Sequence, residues 1–182
     1  MILDVNFDYV ANKAEKKARE MVENGLYSRF NLSVNTRIEK AKLGCMGELA
    51  FEKYLIDKGI NYELDKTDFS RTNSDQFDFL IKEKKIDIKV AKKSTENSPN
   101  DNWTYGYPEE QNPLSKDVVI VGWVDFIRKE IGFYGWISGK RISEYKVVSE
   151  NSFVGYKYLT PNHEFPWGAM NKNIDELFSR MK

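Results

Sequence analysis

The segment FDFLIKEKKIDIKVA, residues 77–91, constrains this chain more than any other. Apolar side chains at 77, 79 and 81, and again at 86, 88 and 90, repeat with the period of two that marks strands with one buried face. A charged turn between the two runs makes them an antiparallel hairpin. The simplest register sets Lys82 opposite Lys85 and Ile81 opposite Ile86, and opposed residues in such a pair share a face. Phe77 then pairs with Val90 and Phe79 with Ile88, giving an apolar face that must cover a core. The other face pairs Asp78 with Lys89 and Leu80 with Asp87. A slip of one residue would set Asp87 and Lys89 against the phenylalanines, so the alternation specifies the register.

The rest of the chain supplies partners for that hairpin. Residues 118–124 (VVIVGWV) form a continuous apolar run, expected of a central strand buried on both faces. Residues 131–137 (IGFYGWI) predict a further strand, and 60–64 a short one. Over 8–24, Val10, Ala14, Ala18, Met21 and Val22 fall at helical spacing and Gly25 follows as a stop. Lys13, Lys16, Lys17 and Arg19 give this helix a basic side, read as a solvated face in preference to a DNA contact. A second helix is expected from Thr36, where Thr36-Arg37-Ile38-Glu39 has the form of a capping box, and it closes at Lys58 and Gly59. Gly44 and Gly47 lie inside it at a cost of about 1 kcal/mol each, which points to close packing. The polar segment 94–116 holds three of the five prolines and reads as a long loop; a short helix is expected at about 174–181.

These elements predict an α/β fold in one domain, a size that 182 residues suit. Two N-terminal helices flank a mixed, twisted central sheet. The core is expected at about 36–137, preceded by a helical segment (1–35) and followed by a C-terminal extension (138–182).

Composition excludes several chemistries. Lys plus Arg and Asp plus Glu are both 28, a net charge of zero that argues against coating nucleic acid by bulk charge but leaves room for a local basic groove. The single cysteine, Cys45, rules out an intrachain disulfide and a cysteine-based zinc cluster, and on the helix's apolar row it reads as a small core residue. The single histidine, His163, removes Ser-His-Asp and Cys-His catalysis unless it takes part itself, and its Pro-Asn-His-Glu setting suggests a surface residue. Nothing near the N-terminus resembles a signal peptide and no apolar run approaches the ~20 residues of a membrane span, so a cytoplasmic protein with no membrane partner is expected. There, bound divalent metal is the readiest source of hydrolytic power.

Asp is depleted in strands, yet Asp78 and Asp87 both sit in strand interiors, and Glu48 follows Gly47 on the preceding helix. An ordinary amphipathic hairpin with a solvated outer face is the competing account of the hairpin residues. With Glu48 included, the pattern reads Gly44-Cys45-Met46-Gly47-Glu48, Phe77-Asp78-Phe79 and Ile86-Asp87-Ile88-Lys89-Val90. It resembles the PD-(D/E)XK nuclease superfamily over roughly residues 36–137. Phe77 stands where the family name implies proline, a position the chemistry does not require. Asp75 competes for the role of first acid, and Asp78 is preferred for its place in the alternation.

The resemblance implies a restriction-endonuclease-like core and a Mg²⁺-dependent endodeoxyribonuclease, with Mn²⁺ able to substitute and homodimers common. Asp78 and Asp87 would be the direct metal ligands, with the carbonyl of Ile88, and Glu48 would hold a metal-bound water or a second ion. Lys89 would orient or help deprotonate the attacking water and stabilise developing charge. Lys92, Lys93, Ser94 and Thr95 are expected to contact phosphates beside the scissile group. Trp103, Tyr105 and Tyr107 either stack on bases or pin the long loop, whereas Trp123 and Trp136 read as core or interface. Tyr145, Phe153, Tyr156, Tyr158 and Trp167 are candidates for a dimer interface or a DNA-reading surface. A restriction-type role is slightly favoured. Branched-DNA resolvases, homing and phage DNA-processing nucleases share the core, and an RNA nuclease or a non-catalytic nucleic-acid-binding module are the alternatives.

Overall fold

The computed structural model describes residues 1–65 and 77–180. It is an α/β structure in which helices, a mixed five-stranded sheet and a smaller antiparallel sheet lie in successive layers. The first helix, α1 (Phe7–Glu23), is capped by the Asn6 side chain, which accepts from the Tyr9 N–H. The second, α2 (Val34–Asp57), starts two residues earlier than the capping-box pattern suggested. Ser33 is its cap, accepting from the Thr36 N–H at 3.1 Å. It ends as expected, with Lys58 as C-cap and Gly59 at φ 64°.

The large sheet contains β1 (Glu63–Leu64), β2 (Phe79–Ile81), β3 (Lys84–Lys92), β5 (Val118–Asp125) and β6 (Glu130–Ile137), in the order β1-β2-β3-β5-β6. β3 and β5 run parallel and the other neighbours antiparallel. Every residue of β5 is buried, as the apolar run predicted.

The hairpin register differs from the expected one by two residues. Phe79 pairs with Ile86, Leu80 with Lys85 and Ile81 with Lys84. The turn is Lys82-Glu83, both left-handed at φ 48° and 63°, as a two-residue primed turn requires. Neither residue is the glycine or asparagine that normally announces such a turn. A shift of two leaves every side chain on its expected face, which is why alternation alone could not detect it. Phe79, Ile81, Ile86, Ile88 and Val90 all enter a core shared with Val10, Ala14, Phe51 and Leu55 of the two helices.

The outer face of the hairpin is covered, not solvated as the competing account had it. Within 94–116, read from sequence as a loop, β4 (Thr104–Pro108) pairs with β8 (Lys157–Pro166), which also pairs with β7 (Val147–Glu150). β7, β8 and α3 (Gly139–Ser143) lie in the C-terminal extension, and a last helix, α4 (Ile174–Arg180), matches the expected one. Between the sheets, Tyr107, Phe165 and Trp167 pack on Val119, Val121 and Trp123 in a second core cluster. Among the described residues no helix is long and apolar enough to cross a membrane.

Candidate active site

Gly47 governs the position of Glu48. A Cβ at Gly47 would stand 2.7 Å from Val90 Cγ1 and 3.0 Å from Cγ2, so its absence lets α2 lie directly on β3. The next residue, Glu48, then reaches the rim of the carboxylates on the hairpin. Glu48, Asp78, Asp87, Ile88 and Lys89 all line one cleft of about 270 Å³. The four expected catalytic residues are therefore brought together.

Their pairing is not the one the sequence suggested. Asp78 does not face Lys89. It lies just past the end of the β2 ladder and spans Asp87: its N–H donates to the Ile86 carbonyl at 3.0 Å, and its Oδ2 accepts from the Ile88 N–H at 2.5 Å. A hydrogen-bonded strand residue turns its N–H and C=O to the same neighbour, so the Ile88 carbonyl faces the Asp78 side of β3. Asp87, only 6% exposed in its side chain, accepts from Lys89 Nζ on Oδ1 at 2.8 Å and from the Tyr107 hydroxyl on Oδ2 at 2.9 Å. Glu48 Oε2 lies 2.7 Å from Lys17 Nζ.

Burial, then the neighbouring Asp87 and Glu48 carboxylates, push the Asp78 carboxyl well above the ordinary carboxylate range; Lys89 and the Ile88 N–H oppose the shift. Burial is the largest single influence on Lys89 and works against its charged form, but Asp87, Tyr107 and Asp78 together outweigh it, and the ammonium is held well above the usual lysine value. Lys17 is likewise raised despite burial, through Glu48. Lys116, buried in the same cleft, is lowered by desolvation, with Asp87 working in the opposite direction.

An all-oxygen donor set suits a hard divalent cation. Among the described residues, no three His, Cys, Asp or Glu side chains stand close enough to enclose an ion. Mg²⁺ does not need such a cage, since one or two carboxylates plus retained waters ordinarily hold it. Asp78 and Asp87 meet that requirement, and the proton affinity of Asp78 reflects two acids sharing a site with one ammonium. The residues present therefore fit Mg²⁺.

The four residues expected to bind phosphate lie elsewhere. Lys92 is three residues beyond Lys89, ~10 Å along the strand. Its ammonium stands 5.7 Å from the Phe126 ring centroid. Lys93 is buried and paired with Asp125 at 2.8 Å and with the Thr95 carbonyl at 2.7 Å. Ser94 and Thr95 are exposed beside a separate recess lined by Trp103 and Trp123. None of the four lines the carboxylate cleft, so Lys93 in particular is a structural cation and not a phosphate contact.

Sequence reasoning missed Lys40, Gln111 and Lys116, and gave Lys17 and Tyr107 other roles. The first four line the carboxylate recesses, and the Gln111 side-chain oxygen is buried there without a hydrogen-bond partner. Lys17 was visible only as part of a basic helix side; its partner is 31 residues away and no local pattern links them. The aromatics of 103–107 pin their segment: Trp103 meets Trp167 edge-on at 5.2 Å, and Tyr105 packs on Phe165. His163 is buried, its Nδ1–H donating to the Tyr145 carbonyl at 2.9 Å, contrary to the expected surface position. Trp167 is core and offers no surface, whereas Phe153 and Tyr156 are exposed. Cys45 is buried as expected, and Asp75 falls outside the described residues. Compared with models of known protein families, with curated proteins and with solved structures, the chain matches none.

Proposed function

We propose that this chain is a Mg²⁺-dependent endodeoxyribonuclease with a restriction-endonuclease-like core, of the PD-(D/E)XK kind, hydrolysing DNA phosphodiester bonds. The observation that supports this best is the convergence of Asp78, Asp87, Lys89 and Glu48 from two strands and a helix on one cleft. An ordinary amphipathic hairpin has no reason to bury Asp87 with its Lys89 partner or to crowd Asp78 against it, since burying charge is costly even when it is paired.

Asp78 and Asp87 would hold the ion, with the Ile88 carbonyl beside them and Glu48 reaching it through water. When bound, Mg²⁺ would neutralise phosphoryl oxygens and supply an activated water. Lys89, kept protonated by Asp87, acts as a cation toward the developing negative charge and not as a base. Asp78, with its raised proton affinity, must give up its proton to hold the ion, so metal uptake would weaken as pH falls. Lys17, Lys40 and Lys116 give a neutral chain the local positive charge that a phosphate backbone needs. We propose a homodimer as the working form and a restriction-type role as the favoured subclass; light scattering tests the first, and a persistent monomer refutes it.

Competition between equal amounts of DNA and RNA at one salt concentration with Mg²⁺ tests the substrate assignment. Preferential DNA turnover is expected. Preferential RNA turnover would replace DNA by RNA, and turnover of neither would leave a non-catalytic binding module.

A further inference from the structure

Tyr107, on the smaller sheet, touches both Asp87 and Lys89 of the cleft. It lies on β4 opposite His163, fully buried, in the cluster that includes Phe165 and Trp167. Its hydroxyl donates to Asp87 Oδ2 at 2.9 Å, while Lys89 Nζ stands 2.8 Å from Asp87 Oδ1 and 5.6 Å from the centroid of the Tyr107 ring. We infer that Tyr107 is a positioning residue that fixes which oxygen of Asp87 is offered to a divalent cation and where the Lys89 ammonium rests meanwhile. The inference rests on the nuclease reading above.

Each oxygen of Asp87 already holds one protein donor; a lone pair is left on each, but a divalent cation set beside the Lys89 ammonium meets like-charge repulsion, so one donor gives way. Moving the Tyr107 hydroxyl means moving a ring locked in a packed core. Moving Lys89 means rotating a flexible stem whose end is 19% exposed. Lys89 yields, and Oδ1 is the oxygen given up. The displaced ammonium keeps a second partner in the Tyr107 ring, at a distance where cations are attracted to aromatic faces. A phenol is protonated at neutral pH, so the hydroxyl remains a donor. Tyr107 thus serves Asp87 as outer partners serve metal-ligating groups generally, by holding the ligand plane.

The test is calorimetric uptake of Mn²⁺ by the full chain, with thermal unfolding alongside. Tyr107→Phe keeps the ring and removes the donor. It is expected to bind Mn²⁺ about tenfold more weakly, the low end for loss of an outer partner, and to raise the Mn²⁺ concentration for half-maximal cleavage by the same factor. A merely structural role would lower the melting temperature without that shift. Folded Tyr107→Phe that binds Mn²⁺ as the wild type does overturns the inference. Lys89→Met provides a second arm that does not touch the buried ring. With its competitor removed from Oδ1, it should bind Mn²⁺ several-fold more tightly, and unchanged or weaker binding overturns the assignment of that oxygen. A wild type that takes up Mn²⁺ yet cleaves no nucleic acid removes the nuclease reading and leaves Tyr107 to be judged on uptake alone. A wild type that takes up no Mn²⁺ overturns both.

Discussion

Substituting Gly47 by Ala tests the seat that puts Glu48 in the cleft. The added methyl would lie 2.7 Å from Val90 Cγ1, 3.0 Å from Cγ2 and 3.4 Å from Ile88 Cγ2. Val90 is β-branched and buried in the core, so it cannot swing aside cheaply. Overpacking of this kind costs about 1–3 kcal/mol. Ala for Gly inside a helix returns about 1 kcal/mol of propensity. The net expectation for Gly47→Ala is a loss of about 0–2 kcal/mol, or a few degrees in Tm at this chain length. The same substitution in a Val90→Ala background loses the two closest contacts, leaving Ile88 Cγ2 at 3.4 Å, and should stabilise by about 1 kcal/mol, the propensity gain alone. The two positions are in contact, so a coupling of about 1–3 kcal/mol is the quantity to measure, from urea midpoints of the four chains of the cycle. Gly47→Ala that stabilises both backgrounds equally would refute the contact, and with it the account of how Glu48 reaches Asp78. Because α2 must lift off β3, Gly47→Ala alone should also lower metal-dependent cleavage, and Val90→Ala should partly restore it.

Two further outcomes follow from the electrostatics. Lys93→Met leaves Asp125 buried without its cation, which typically costs 3–5 kcal/mol; its urea midpoint should fall sharply while Mn²⁺ uptake stays as in the wild type, and a stable variant with weakened DNA binding would revive the phosphate-contact reading. For Asp78, folding raises the carboxyl's proton affinity, so the folded chain binds that proton more tightly and loses stability as pH rises through the unfolded value of 3.8 toward the raised folded one. Asp78→Asn keeps an acceptor for the Ile88 N–H and removes this loss, so it should melt higher than wild type at pH 7, with the gain shrinking toward pH 4. Equal melting temperatures across that range would show that Asp78 is not held under charge repulsion.

The parts of the molecule legible in the sequence are those whose signal is local. The apolar run 118–124 announced a strand buried on both faces because no other setting tolerates it, and that strand is buried throughout. Of the two helix glycines expected to mark close packing, Gly47 does so against Val90, whereas Gly44 has open space where a Cβ would stand. Alternation fixed the faces of the hairpin but only up to an even shift. The Lys82-Glu83 turn carries no residue that favours positive φ, so the pairing came out two residues off. The same period of two could not say what covered the second face. β4, with Gly106 and Pro108 in five residues, has the composition of a loop. Its strand character comes from β8, about fifty residues later, and Gly106 lets the end of the Tyr158 side chain lie against β4, where a Cβ would meet its Cζ, hydroxyl oxygen and Cε1 at 2.6–2.7 Å. Lys17 with Glu48, and Tyr107 with Asp87, are likewise long-range pairs that exist only once the layers have closed.

The central claim is tested most directly by incubating supercoiled plasmid and phage DNA with the chain in Mg²⁺, Mn²⁺ or EDTA, beside Asp87→Ala and Lys89→Ala. Cleavage that needs metal, stops in EDTA and is lost in both variants is the predicted result, with discrete bands pointing to a sequence-specific enzyme and a smear to a non-specific or structure-directed one. DNA left intact by folded wild type on plasmid, linear and branched substrates alike, or cleavage that survives Asp87→Ala, would contradict it.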